Sequence, residues 1–187
     1  MTFDFAFNLL PTNGWLFESE ARLLWDTVAR THGSILEVGV YYGRSTCLLA
    51  CSGRPLYCVD PFSNFDSDDF SGNKVEANWR ANLEKFAAAT GIDISGVSLF
   101  RQRVEDWTPQ PAGFGYLDGD HTGPGTAAQI RAALACGVEV IGIHDVNDDG
   151  VGVCIRDAAV ELLGPWQVRV ERLAVWEVKE WSREAAK

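Results

Sequence analysis

Two clusters of acid and imidazole punctuate the second half of the chain. They are Asp118-Gly119-Asp120-His121 and His144-Asp145, and each ends a short apolar run. Carboxylates at the ends of neighbouring strands can share one divalent cation. A histidine with an ordinary pKa of about 6.5 can take up a proton near neutral pH. An earlier stretch, Ile35-Leu36-Glu37-Val38-Gly39-Val40-Tyr41-Tyr42-Gly43-Arg44-Ser45, is of another kind: apolar residues, two glycines, then a helix start. Strand, glycine turn and helix together open the ligand crevice of an open α/β sheet. Gly39 turns without a Cβ, Gly43 permits close approach of a ligand or a helix, and the helix start offers free N–H donors. Asp60 lies 21 residues beyond Gly39, at the end of the next apolar run. A carboxylate there can accept hydrogen bonds from both ribose hydroxyls of a nucleoside. Gly39, Asp60, Asp118 and Asp145 thus end four different strands, which carries more weight than any single motif.

The elements that must hold these residues follow from periodicity. Residues 1–14 read as irregular, with Pro11, Asn13 and Gly14 as punctuation. Ala21, Leu24, Trp25 and Val28 recur at helical spacing, from near Phe17–Ser19 to about Arg30. His32 reads as a turn residue. Strands are expected at Ile35 to Val38, Leu56 to Asp60, Val97 to Gln102, Phe114 to Asp118 and Val138 to Ile143. Helices are expected after Gly43, at Val75 to Ala89, at Ala127 to Ala135 with Pro124 at the first helical position, and at Val153 to Leu163. The polar stretch Ser63 to Asn73, with Asp66, Asp68 and Asp69, reads as a solvated loop or a lid beside the site. Trp166 to Val170 and Leu173 to Val178 form a tight antiparallel pair. This alternation predicts an α/β, doubly wound, mostly parallel seven-stranded sheet with a C-terminal antiparallel hairpin, in a single domain over residues 1–187.

Composition narrows the function classes. A net charge of −10 argues against binding a nucleic-acid backbone, which needs a basic footprint. No apolar run approaches the ~20 residues of a membrane span, and the N-terminus lacks the pattern of a signal peptide. Five cysteines without C-x-x-C spacing point to a reduced, cytoplasmic chain, with Cys47 and Cys51 packed on one helix face. Self-association into a homo-oligomer is left open.

The pattern Glu37-x-Gly39-x-Tyr41-x-Gly43-x-Ser45 resembles the first motif of class I S-adenosylmethionine-dependent methyltransferases, a Rossmann-like family. It is most similar to the metal-dependent O-methyltransferases of the catechol and caffeoyl-CoA type and to bacterial sugar and antibiotic O-methyltransferases. The resemblance spans roughly residues 14–180. It implies S-adenosyl-L-methionine as cofactor, held by Glu37, Gly39, Tyr41, Gly43, Ser45 and Asp60, with Gln102, Arg103 and Asp118 around the nucleoside. It also implies Mg²⁺ or another divalent cation on Asp118, His144 and Asp145, with His121 as general base, although His144 and Val146 depart from the family's metal set. The substrate implied is a small hydroxylated molecule. Two alternatives remain: a non-catalytic S-adenosylmethionine-binding relative, and an NAD-dependent oxidoreductase, which the absence of a G-x-G-x-x-G pattern disfavours.

Overall fold

A computed structural model describes residues 1–63 and 72–178 of the chain. Most of the acidic stretch expected as a loop or lid lies outside the described residues. Seven strands form one sheet: β1 Ile35–Val38, β2 Leu56–Val59, β3 Val97–Phe100, β4 Phe114–Leu117, β5 Val140–Ile143, β6 Val168–Val170 and β7 Leu173–Glu177. Their spatial order is β3-β2-β1-β4-β5-β7-β6. Strands β1 to β5 run parallel, and β7 pairs antiparallel with both β5 and β6. β1, β4 and most of β2 are buried, apolar runs, as expected of strands covered on both faces.

The chain winds outward from β1 through β2 to β3, then returns to lay β4 on the other side of β1. That reversal opens a crevice at the carboxyl ends of β1 and β4. The strands come so close there that a Cβ on Gly39 would stand 2.2 Å from the Asp118 carbonyl oxygen.

Helices cover both faces. On one side lie α1 Phe3–Leu9, α2 Glu18–Arg30, α3 Arg44–Ala50 and α4 Gly72–Thr90, packed through Phe3, Leu24, Leu48, Trp79 and Phe86. On the other lie α5 Gly123–Ala135 and α6 Gly150–Leu163, packed through Ile130, Ala133, Ile155 and Leu162. Burying each such large side chain contributes about 1.5–3 kcal/mol. None of the helices among the described residues is long and apolar enough to cross a membrane.

The expected irregular N-terminus is corrected by α1. Thr2 caps it by accepting the Phe5 N–H, and Phe3 and Ala6 are buried. Phe3 stacks on Phe7 and meets the edge of Trp25 in α2. A helix of seven residues has no stability of its own. It exists because α2 receives its apolar face, which no local pattern announces. α4 begins at Gly72 and α6 at Gly150, each earlier than periodicity suggested. α5 starts after Thr122, whose hydroxyl accepts the Gly125 N–H, so Pro124 is the second helical residue and not the first.

Candidate active site

The glycine turn is held from below and from the side by two carboxylates. Glu37 points into the core and is fully buried. It accepts hydrogen bonds from Ser45 Oγ at 2.6 Å, Thr46 Oγ1 at 2.8 Å and Cys58 Sγ at 3.3 Å. Thr46 in turn accepts the Trp79 indole N–H. Glu37 therefore anchors the start of α3 and does not line the cavity. Asp60 braces the turn itself: Oδ2 accepts the Val40 N–H at 2.8 Å, and Oδ1 accepts the Phe62 N–H at 2.7 Å. Tyr41 and Phe62 both adopt positive φ, 44° and 52°. Such strain in non-glycine residues persists only where surrounding contacts impose it. Gly43 serves helix packing: it caps α3 at φ 85°, and a Cβ there would stand 3.0 Å from Trp79.

Burial pushes the Glu37 carboxyl up to about 7, against the hydrogen bonds from Ser45, Thr46 and Cys58. The unfolded chain releases that proton near 4.5. Between these values the folded state binds more protons than the unfolded one, so stability falls as pH rises through the window and levels off above it. Glu37→Gln removes this dependence. Its stability relative to wild type is expected to improve by about 3 kcal/mol from pH 4.5 to pH 7.5, because each tenfold difference in proton affinity is worth about 1.4 kcal/mol. Urea unfolding at several pH values measures this, and parallel pH profiles for the two proteins would exclude it.

A cavity of about 650 Å³ opens at the carboxyl ends of the strands, within the usual size of ligand sites. It gathers Gly39, Tyr41, Ser45, Asp60, Arg103, Asp118, His121, His144 and Asp145. Of the residues singled out in the sequence, Glu37, Gly43 and Gln102 do not line it. Trp15, two-thirds exposed, stacks on Tyr41 at the rim, with ring centroids 5.5 Å apart. The segment that carries it is tied down by Arg44, which donates to the carbonyls of Leu16 and Pro11.

The acid and imidazole clusters converge on one wall. His121 Nε2 lies 3.4 Å from Asp118 Oδ1 and 3.7 Å from Asp145 Oδ2. His144 Nδ1 lies 3.4 Å from the same Asp118 oxygen and 3.6 Å from Asp145 Oδ1. Asp118, His121 and Asp145 each offer a ligand atom, all within 4.8 Å of one another. Oδ1 of Asp145 is buried and accepts no hydrogen bond among the described residues, and Asp145 itself is held at φ 55°. Arg172 Nη1 at 3.5 Å and His144 Nδ1 at 3.6 Å approach that oxygen without a hydrogen bond to it; an oxygen so left beside two further ligand atoms fits a divalent cation.

His144, expected as a ligand, is placed differently. It is nearly fully buried, and its Nε2 faces Glu20 at 3.3 Å, so its ring is held between carboxylates. Its Nδ1 stands as near to Asp118 and Asp145 as His121 Nε2 does, and His121 forms the three-residue cluster with the two acids. Val146 is buried in the core and donates its N–H to the Arg172 carbonyl, which removes it from any ligand set.

The electrostatics follow the contacts. Burial alone would lower the His144 imidazole, but the charge and hydrogen bond of Asp118 and the hydrogen bond of Glu20 raise it to about 10. Burial would raise Asp118, but the two histidines hold it at about 2. The Asp118 hydrogen bond raises His121 despite partial burial.

Sequence reasoning missed Glu20 and Gln129. Gln129 accepts the Gly119 N–H at 3.0 Å and donates to the Asp120 carbonyl at 2.9 Å, pinning the Asp118–His121 turn to α5. Gln129 sits in no recognisable motif, Glu20 has only the place of a helix-capping glutamate, and only the fold brings them to the site.

Residues 36–146, more than half of the chain, match the methyltransferase domain family. The chain belongs to that family. Solved structures share its fold. Cofactor-bound Rv0187 from MTB superposes with a TM-score of 0.65 at 16% identity, over 95% of this chain and 87% of that one. The O-methyltransferase from Bacillus cereus in complex with SAH gives 0.59 at 18% identity, over 93% and 87%. CalS11, a TDP-rhamnose 3'-O-methyltransferase of calicheamicin biosynthesis, gives 0.57 at 16% identity, over 84% and 76%. No curated protein matches the sequence. The sheet order and hairpin of this methyltransferase are therefore those of a Rossmann-like methyltransferase fold.

Proposed function

We propose that this methyltransferase moves the methyl group of S-adenosylmethionine to a hydroxyl of a small molecule. One observation carries the reading: the glycine turn and the His121–Asp118 pair face the same cavity. The cofactor lies along the turn, against Gly39, Tyr41 and Ser45, and its ribose hydroxyls donate to the acceptor positions left on Asp60. Arg103 and Asp118 lie around the rest of the cofactor. The acceptor oxygen attacks the sulfonium methyl carbon in line. The carbon–sulfur bond breaks, S-adenosylhomocysteine leaves, and the hydroxyl proton passes to Nδ1 of His121, the ring nitrogen not turned to Asp118 and Asp145. Asp118 orients that imidazole. A divalent cation, where present, would be held by Asp118 and Asp145, and would supply Lewis-acid polarisation of the acceptor oxygen. A ring nitrogen cannot both ligate a cation and take a proton, so this reading keeps His121 as the base.

Calorimetry tests the cofactor half. S-adenosylhomocysteine is expected to bind and NADH is not. Asp60→Ala is expected to weaken that binding by about 1–3 kcal/mol, the scale of charged hydrogen bonds. Heat from NADH alone would favour an oxidoreductase. Adenosyl binding without methyl transfer to any hydroxylated acceptor would favour a non-catalytic binding protein.

A further inference from the structure

Glu20 is buried without residual exposure, whereas Glu18 and Asp26 of the same helix are exposed. Its Oε2 accepts the Phe17 N–H at 2.9 Å and lies 3.3 Å from His144 Nε2. Its Oε1 accepts the Arg172 N–H at 2.9 Å. One carboxylate thus joins the start of α2, the end of β5 and the β6–β7 turn. A glutamate at the third helical position commonly reaches back to the cap N–H, but that role is served equally well by an exposed side chain. Taking a carboxylate out of water costs several kcal/mol unless its partners offset the loss. Helix capping explains neither the Arg172 N–H nor the imidazole, and of these two the imidazole belongs to the site.

We propose that Glu20 is a positioning residue of the reaction centre, holding His144 by Nε2 so that Nδ1 is aimed at Asp118 and Asp145. The role of one ring nitrogen is set by the hydrogen bond the other makes. A carboxylate oxygen facing Nε2 at 3.3 Å requires an N–H there. Nδ1 faces the Asp118 Oδ1 carboxylate oxygen at 3.4 Å, and so presents an N–H as well. Rotating the ring by half a turn would put carbon where Nδ1 stands and remove that donor. Asp118 Oδ1 is touched by His144 Nδ1 and His121 Nε2 alike, each at 3.4 Å. The position of the buried ring therefore sets where this oxygen sits, and through it where His121 points.

The catalytic consequence rests on the proposed methyl transfer, but the positioning does not need it to be tested. The chain has three histidines, so the ring nitrogens of ¹⁵N-histidine-labelled protein can be resolved by NMR. In the wild type at neutral pH, His144 is expected to carry a hydrogen-bonded, slowly exchanging proton on Nε2 and a second proton on Nδ1. In Glu20→Gln the His144 signals are expected to move to another tautomer or ring orientation, while those of His32 stay in place. Turnover, read as methyl transfer from S-adenosylmethionine to catechol and to free rhamnose, is expected to fall about 10–100-fold in kcat, the scale for losing a supporting partner. KM for the cofactor should stay unchanged. Glu20→Asp, which keeps the charge on a shorter arm, should fall between the two. An Nε2 without a proton in the wild type would overturn the proposal, and so would unchanged His144 signals in folded Glu20→Gln. If Glu20→Gln does not fold, the wild-type spectrum alone decides. If the wild type methylates neither acceptor, the functional reading loses support while the ring-nitrogen result still judges Glu20.

Discussion

His121→Ala is expected to reduce methyl transfer by roughly 10²–10⁴-fold, the range for removing a positioned base, with cofactor affinity nearly intact. The side chain is 43% exposed and makes its contacts with Asp118 and Asp145, so its loss leaves no buried cavity behind. It lines the same cavity as the glycine turn; in the proposed reaction the turn holds the cofactor and His121 receives the acceptor's proton. The measurement is kcat on any accepted hydroxylated substrate, alongside the calorimetric constant for S-adenosylhomocysteine. Full activity in the variant would remove His121 from the mechanism. Asp120 is the next candidate, although its Oδ1 already accepts the Thr122 N–H in a tight turn. Running the same assay in excess chelator separates the base from the cation. Activity kept in chelator and lost in the variant would leave His121 acting without a metal.

Gly39→Ala is expected to destabilise the fold by on the order of 2–4 kcal/mol and to abolish cofactor binding. Two effects add. The residue sits at φ 83°, where an L side chain is strained, and its Cβ would lie 2.2 Å from the Asp118 carbonyl oxygen and 2.7 Å from Gly119 Cα. These are backbone atoms of the turn that leaves β4, so relief requires parting the two strands at the mouth of the crevice. Gly53→Ala separates the two effects. Gly53 has φ 66° and nothing within 4 Å of an added Cβ, so it should cost only the conformational ~1–2 kcal/mol. Urea unfolding compares the two variants. Equal midpoints would show that the close approach of β1 to β4 does not govern the turn.

The order of elements was legible because each rests on a local signal. Val97, Leu99 and their like mark strands, Gly43 marks a helix start, and Gly164 marks a stop. The short link between β6 and β7 requires an antiparallel hairpin. The acids and histidine at strand ends were legible for a related reason: in a parallel sheet, carboxyl ends fall on one edge, so position along the strand determines side of the sheet. Gly39, Asp60, Asp118 and Asp145 reached one cavity on that principle alone.

Side-chain direction and long-range contact were decided only by the tertiary structure. Glu37 sits in the right motif, but the alternation of a strand turns it into the core beneath α3, where Ser45 and Thr46 receive it. His144 and His121 carry the same functional group at similar places in sequence. Their surroundings differ because Glu20, 124 residues before His144, reaches one ring and not the other. α1 forms because α2 and Trp25 lie beneath its apolar face. Local pattern specifies which backbone a segment adopts. It carries no information on what a side chain meets from far along the chain, and at this site those meetings set charge, orientation and reach.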